Sequence, residues 1–138
     1  MRTPNPLGKA QQMIGYTTVG TNDLETSRSF YDALLETIGA KRLMQLDEGF
    51  TGYGKEMGAP MLCVTPPFNG EPASVGNGMM VALEAESRDE VDALHAKALE
   101  LGAPDEGAPG IREPEEMGFY AAYFRDPDGN KLCAFKVG

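Results

Sequence analysis

Two cysteines and a single histidine supply the soft donors of this 138-residue chain. Cys63 and Cys133 stand in strand-like apolar runs, and His95 stands in Ala93-Leu94-His95-Ala96, one position off an apolar helical stripe. Together the three could hold a soft metal, and Cys133 could act as a nucleophile with Tyr16 or Tyr123 as acid or base. Plainer readings exist for each. A buried thiol packs as a small hydrophobe, and His95 at its position reads as an exposed surface residue. The carboxylates of Asp126-Pro127-Asp128-Gly129 bond their own backbone in a turn. Ser27 and Ser29 lie on a helix with no paired histidine, and Gly52, Gly54 and Gly58 lack the spacing and the Lys-Ser/Thr ending of a phosphate loop.

Composition narrows the field further. Twelve Lys and Arg against 21 Asp and Glu give a net charge of −9. Such a surface repels phosphate backbones, and the cations are scattered, so no nucleic-acid partner is expected. No apolar run approaches the roughly 20 residues that a bilayer span needs, so no membrane partner is expected either. Two cysteines are too few for a disulfide framework and the N-terminus lacks the apolar core of a secretory signal, which points to a cytoplasmic protein with reduced thiols. The length fits one domain, or two half-domains sharing a core.

The elements that would position these residues follow from local pattern. Residues 1–12 hold two prolines and almost nothing apolar, and read as a disordered extension. Met13–Thr21 reads as a strand. Asn22-Asp23 then opens a helix whose Leu24, Phe30, Tyr31, Leu34, Leu35 and Ile38 recur at helical spacing and which stops at Gly39. Arg42–Leu46, Phe50–Gly54 and Met61–Thr65 form a meander, with Phe50 and Tyr53 candidates for a pocket rim. Residues 66–78 hold three Pro and three Gly and read as a crossing segment. The plan then repeats: a strand over Met79–Ala85, a helix opened by the capping box Ser87-Arg88-Asp89-Glu90 and stopped at Gly102, a Pro- and Gly-rich loop, and two hairpin strands, Phe119–Arg125 and Lys131–Lys136. Tyr16 and Met80 on the leading strands, and the two glycine stops, share an offset of about 64 residues, the mark of an internal duplication. The single domain over 13–138 thus divides into module one (13–65), the crossing segment (66–78) and module two (79–138). A unit of about 60 residues buries too little core to stand alone, so the halves must pair.

Paired β-α-β-β-β units resemble the vicinal oxygen chelate superfamily of glyoxalase I, bleomycin-resistance proteins and extradiol dioxygenases. Gly20-Thr21-Asn22-Asp23-Leu24 with Ser27 and Phe30-Tyr31 matches its first strand-to-helix stretch, and Phe124-Arg125-Asp126-Pro127-Asp128-Gly129-Asn130-Lys131-Leu132 its final hairpin. The resemblance implies an α+β fold, a cup-shaped mixed sheet with helices outside, and a homodimer. Family enzymes hold a divalent metal by His and Glu side chains in the cup. Those positions fall here on Tyr16, Met80 and Cys133, with a fourth near Leu62 or Cys63. A phenol, a thioether and a thiol do not replace two imidazoles and a carboxylate, so no metal and no other cofactor is expected. Strand alternation then makes Thr18 a cup neighbour of Tyr16, and the resemblance puts Ala121 and Tyr123 there too. Tyr16, Met80, Tyr123, Cys133, Thr18 and Ala121 would line either a pocket or a filled core. The pocket would take a small apolar or amphipathic molecule, and the −9 charge argues against an anionic one. The alternative is a metal-dependent enzyme of lactoylglutathione-lyase or dioxygenase type.

Overall fold

Asp23 starts the first helix by giving its unpaired amides a partner. One carboxylate oxygen accepts from the Thr26 amide at 3.1 Å and the other from the Thr26 hydroxyl at 2.7 Å, and these bonds hold the carboxyl below its usual range. The helix, α1, runs Leu24–Glu36 and buries Phe30, Tyr31, Leu34 and Leu35. It ends where Gly39 takes a φ of 77° and the Ala40 amide reaches back to the Leu35 carbonyl at 3.0 Å. The second helix, α2 (Arg88–Glu100), repeats the device. Ser87 accepts from the Glu90 amide at 3.1 Å, while the Glu90 carboxylate reaches back to the Glu86 amide at 3.0 Å. Gly102 takes a φ of 94°, and Ala103 bonds the Ala98 carbonyl at 2.9 Å. Ala103 and Ala98 lie at the same offset from Ala40 and Leu35, so the duplication extends to individual capping bonds.

The computed structural model describes residues 12–138. The extension expected over 1–12 lies outside the described residues, apart from Gln12. In module one the strands are β1 (Tyr16–Gly20), β2 (Lys41–Gln45), β3 (Thr51–Gly54) and β4 (Met61–Thr65), in the sheet order β1-β4-β3-β2. Module two has β5 (Val81–Glu84), β6 (Asp105–Ile111), β7 (Phe119–Arg125) and β8 (Lys131–Val137), in the order β5-β8-β7-β6. Each sheet is mixed: β1 runs parallel to β4 and β5 to β8, and the other pairs are antiparallel. The fold is α+β with two open four-stranded sheets, rather than eight strands in one hydrogen-bonded sheet.

Strand β6 corrects the sequence reading, which makes this segment a loop. Its Asp-Glu-Gly-Ala-Pro-Gly-Ile run is tolerated because β6 lies at a sheet edge, and the register against β7 shifts between Asp105 and Gly107 and again between Gly107 and Gly110. Pro109 therefore falls in a stretch that owes no ladder bond. His95 needs a correction for the same reason. It is only 5% exposed, its Nε2 is 3.1 Å from Asp105 Oδ1, and its ring meets the Phe124 edge at 6.4 Å. The strand that covers it is the one that composition conceals.

The core joins both modules: Phe30, Tyr31, Leu34 and Leu35 from α1, Val91, Leu94 and Ala98 from α2, and Tyr53, Leu62, Val64, Phe124 and Leu132 from the sheets. At its centre the fully buried Tyr31 hydroxyl donates to Asp126 at 2.6 Å. Burial, and after it the Asp126 carboxylate, holds the Tyr31 phenol well above its ordinary pKa of 10.0. A folded pKa above the unfolded one gives stabilisation that is complete below pH 10 and is lost as the pH rises past it. Tyr31→Phe should cost about 1–3 kcal/mol, read as a lower urea midpoint at unchanged slope. It should also flatten the loss of stability above pH 10, leaving the part due to Tyr53, whose phenol is raised as well, chiefly by burial.

Candidate functional site

Alternation along the strands separates two faces in each sheet. Ala122, Phe124, Leu132 and Ala134 pack into the helix-side core, so Ala121, Tyr123, Cys133 and Phe135 occupy the opposite, cup-facing side. Tyr123 lies opposite Cys133, and Ala121 opposite Phe135. Ala82 and Glu84 of β5 pair with Cys133 and Phe135. Phe119 stacks on Phe135 at 5.4 Å with 27° between the rings. In the first sheet, Val19, Tyr53, Leu62 and Val64 face the helices, which leaves Thr18, Gly52 and Cys63 on the cup side. That floor is close-packed with sulfur: a Cβ added at Gly52 would lie 3.3 Å from Cys63 Sγ, 3.3 Å from Met61 Sδ and 3.5 Å from Met44 Cγ.

The six sequence-predicted residues fall into three groups. Tyr16 is 59% exposed and meets the Phe50 ring edge-on at 6.0 Å. Thr18 and Met80 line one cavity of about 160 Å³ at the seam between β1 and β5, together with Gly20, Val75, Asn130 and Lys131. Met80 precedes β5, so alternation does not fix its side, and it also borders a cavity of about 540 Å³ walled by Leu35, Ile38 and Leu62 on the helix side. Tyr123, Cys133 and Ala121 are neighbours, with Cys133 and Ala121 fully buried as the floor. Of the two suggested rim residues, Phe50 stands beside Tyr16, whereas Tyr53 is buried on the helix side and donates to Asp32 at 2.9 Å.

Two cations complete the second-sheet face. The Arg112 guanidinium carbon lies 5.2 Å from the Tyr123 ring centre and the Lys131 Nζ 5.4 Å from it, both within cation–π range. Lys131 also lines the cavity holding Thr18 and Met80, so it connects two of the three groups. Lys131 is readable from the sequence, since alternation from Cys133 puts it on the same face. Arg112 follows the concealed strand β6 and carries no comparable local signal. These cations put positive charge beside the Tyr123 ring, which the net −9 does not reveal.

Neither thiol is poised for chemistry. Burial pushes Cys133 up to about 11, against the opposing pull of the Tyr123 hydroxyl, Arg112 and Lys131. Burial likewise raises Cys63, and raises the Tyr123 phenol ahead of the neighbouring Cys133. At neutral pH the thiols and the phenol are protonated, so the cup face offers no thiolate or phenolate base. The soft-metal grouping fails as well, because Cys63 and Cys133 lie on cup faces while His95 is bonded to Asp105 on the helix side.

The family model of the Glyoxalase/Bleomycin resistance protein/Dioxygenase superfamily matches residues 13–134. The chain belongs to that superfamily. A glyoxalase/bleomycin resistance protein from Albidiferax ferrireducens T118 is 40% identical over 91% of this chain and 98% of its own, with a TM-score of 0.80. A lactoylglutathione lyase from Agrobacterium tumefaciens is 24% identical over 89% and 92%, with a TM-score of 0.63. TnmS3, an antibiotic binding protein from Streptomyces sp. CB03234, is 22% identical over 94% and 99%, with a TM-score of 0.65. The latter two share the fold. No curated protein matches the sequence.

The superfamily's usual divalent centre does not fit the side chains present. The resemblance puts Tyr16, Met80 and Cys133 on its ligand positions, and among the described residues no three His, Cys, Asp or Glu side chains come together. Neutral phenol and thioether donors bind hard divalent cations poorly, and the Cys133 thiol must first lose a proton that burial retains. A thiol-specific disulfide reagent at pH 8 should therefore find neither cysteine reactive in the native protein and both reactive in denaturant. Fast native labelling of Cys133 would contradict its burial.

Proposed function

We propose that this superfamily member binds a small aromatic or amphipathic molecule against its cup faces without using a metal. The reading is carried by the residues that the resemblance puts on the ligand positions, set beside aromatic rings on the cup faces: the exposed Tyr16 with Phe50, and the half-buried Tyr123 on the strand whose Phe119 stacks on Phe135. Rings and thioethers at a concave surface are the usual lining of a site for flat apolar ligands. The antibiotic binding protein from Streptomyces supports the same reading, since its fold serves binding. Under this proposal the molecule acts as a cytoplasmic homodimer with neither nucleic acid nor membrane as partner. No helix among the described residues is long and apolar enough to cross a membrane. Dimerisation is supported by β2 and β6, each an outer edge of an open sheet.

Magnitudes bear on the ligand. A bicyclic ring burying about 150 Å² of apolar surface gains roughly 4 kcal/mol at ~25 cal/mol per Å². That corresponds to a Kd near ~1 mM, so rings alone give weak binding and a biologically useful affinity needs a further polar anchor.

The lyase alternative needs both a metal and a base. A thermal-shift panel separates the two readings: aromatic amphiphiles should raise the melting temperature, whereas Ni, Zn or Mn salts should leave it unchanged. Tyr123→Ala and Met80→Ala should each reduce the aromatic-ligand shift with little change in the unliganded melting temperature. A large shift with metal alone, or ligand shifts indifferent to both substitutions, would contradict the proposal.

A further inference from the structure

We propose that the second-sheet face of the cup recognises an anionic group, a carboxylate borne on a flat apolar body, through Arg112 and Lys131. The inference rests on the ligand-binding reading above and gives that ligand a charge. Acids outnumber bases in this chain, and Arg28, Arg42, Lys55, Lys97 and Arg125 each have a carboxylate within 4.0 Å. Among the described residues Lys41, Arg88, Arg112, Lys131 and Lys136 have none, and Arg112 and Lys131 are the two of these that share a ring; residues 1–11 contain no Asp or Glu that could supply a partner. Two unpaired cations converge on one ring, in a protein with enough carboxylates to neutralise every cation it has.

The seat of Arg112 is built by the backbone. Its Nη1 donates to the Gly110 carbonyl at 3.0 Å and its Nη2 to the Ala108 carbonyl at 2.8 Å, which fixes the guanidinium while leaving Nε and the remaining N–H groups for a ligand. Glycine on both sides gives the guanidinium its room. A Cβ at Gly107 would lie 2.9 Å from Tyr123 Cδ2 and 3.1 Å from Arg112 Nη2, and one at Gly110 would lie 3.1 Å from Nη1. The bulges that let β6 hold Pro109 thus also admit a flat guanidinium beside Tyr123. Lys131 extends the positive charge to the seam cavity shared with Thr18 and Met80. Further along the same face, Phe135 pairs in register with Glu84. That carboxylate repels an anion, so the acid group lies at the Arg112–Lys131 end and the apolar body over Phe119 and Phe135.

Titration calorimetry with 1-naphthoate, 1-naphthalenemethanol and 1-naphthylmethylamine tests this on the whole chain at low salt. Naphthoate should bind about tenfold tighter than the alcohol, and the amine more weakly than either. Arg112→Gln and Lys131→Gln should each weaken naphthoate several-fold and leave the alcohol unchanged, which also reports that the variants remain folded. Should Arg112→Gln fail to fold, Lys131→Gln carries the test alone. Equal affinity for acid and alcohol, or tighter binding of the amine, overturns the anion inference and leaves the cup reading intact. Binding of none of the three probes overturns both.

Discussion

Asp126 holds the two modules in register. Its carboxylate accepts from the Tyr31 hydroxyl at 2.6 Å, from the Asp128 and Asn130 amides at 2.9 and 2.8 Å, and from Asn130 Nδ2 at 2.9 Å. Asn130 Nδ2 also donates to the Gly20 carbonyl at the end of β1, at 2.9 Å, and Asp128 accepts from the Asn22 amide at 2.8 Å. The last hairpin's turn is therefore tied to the first module's strand-to-helix junction. A buried carboxylate is tolerable only with its lone pairs filled, and here four donors fill them. Lys131 follows Asn130 directly, so this network also brings its ammonium to the seam cavity beside Thr18.

Most of the fold was legible because its determinants are local. Asp23 and Ser87 announce helix starts, Gly39 and Gly102 their stops, and the common offset announces the duplication before any packing is known. Strand β6 was not legible, since Pro109, Gly107 and Gly110 suit a strand only at a bulged edge, and edge position is a property of the whole sheet. His95 and Arg112 inherit that opacity: one is buried beneath β6 and the other is seated where it ends. The departures that the resemblance implies from the superfamily's metal-ligand set, at Tyr16, Met80 and Cys133, need only the local motif around each residue. The cup's cations were only half readable. Alternation from Cys133 implies Lys131, whereas Arg112 depends on the register shifts between β6 and β7.

Charge shows why bulk composition is a poor guide to a site. A net −9 argues for repulsion of anions at long range, yet within a Debye length of roughly 8–10 Å the nearest charges dominate. Over the Tyr123 ring those charges are Arg112 and Lys131, while Arg125 of the same strand is paired with Glu106. A superfamily that elsewhere places a cation in the cup by metal coordination here has side-chain cations on one cup face.

Metal content bears most directly on this reading. Elemental analysis of the protein purified without chelator, at known protein concentration, should find Mg, Mn, Fe, Ni, Cu and Zn all far below one ion per chain. One equivalent of any of them, retained through dialysis, would contradict the metal-free cup and restore the lyase or dioxygenase reading.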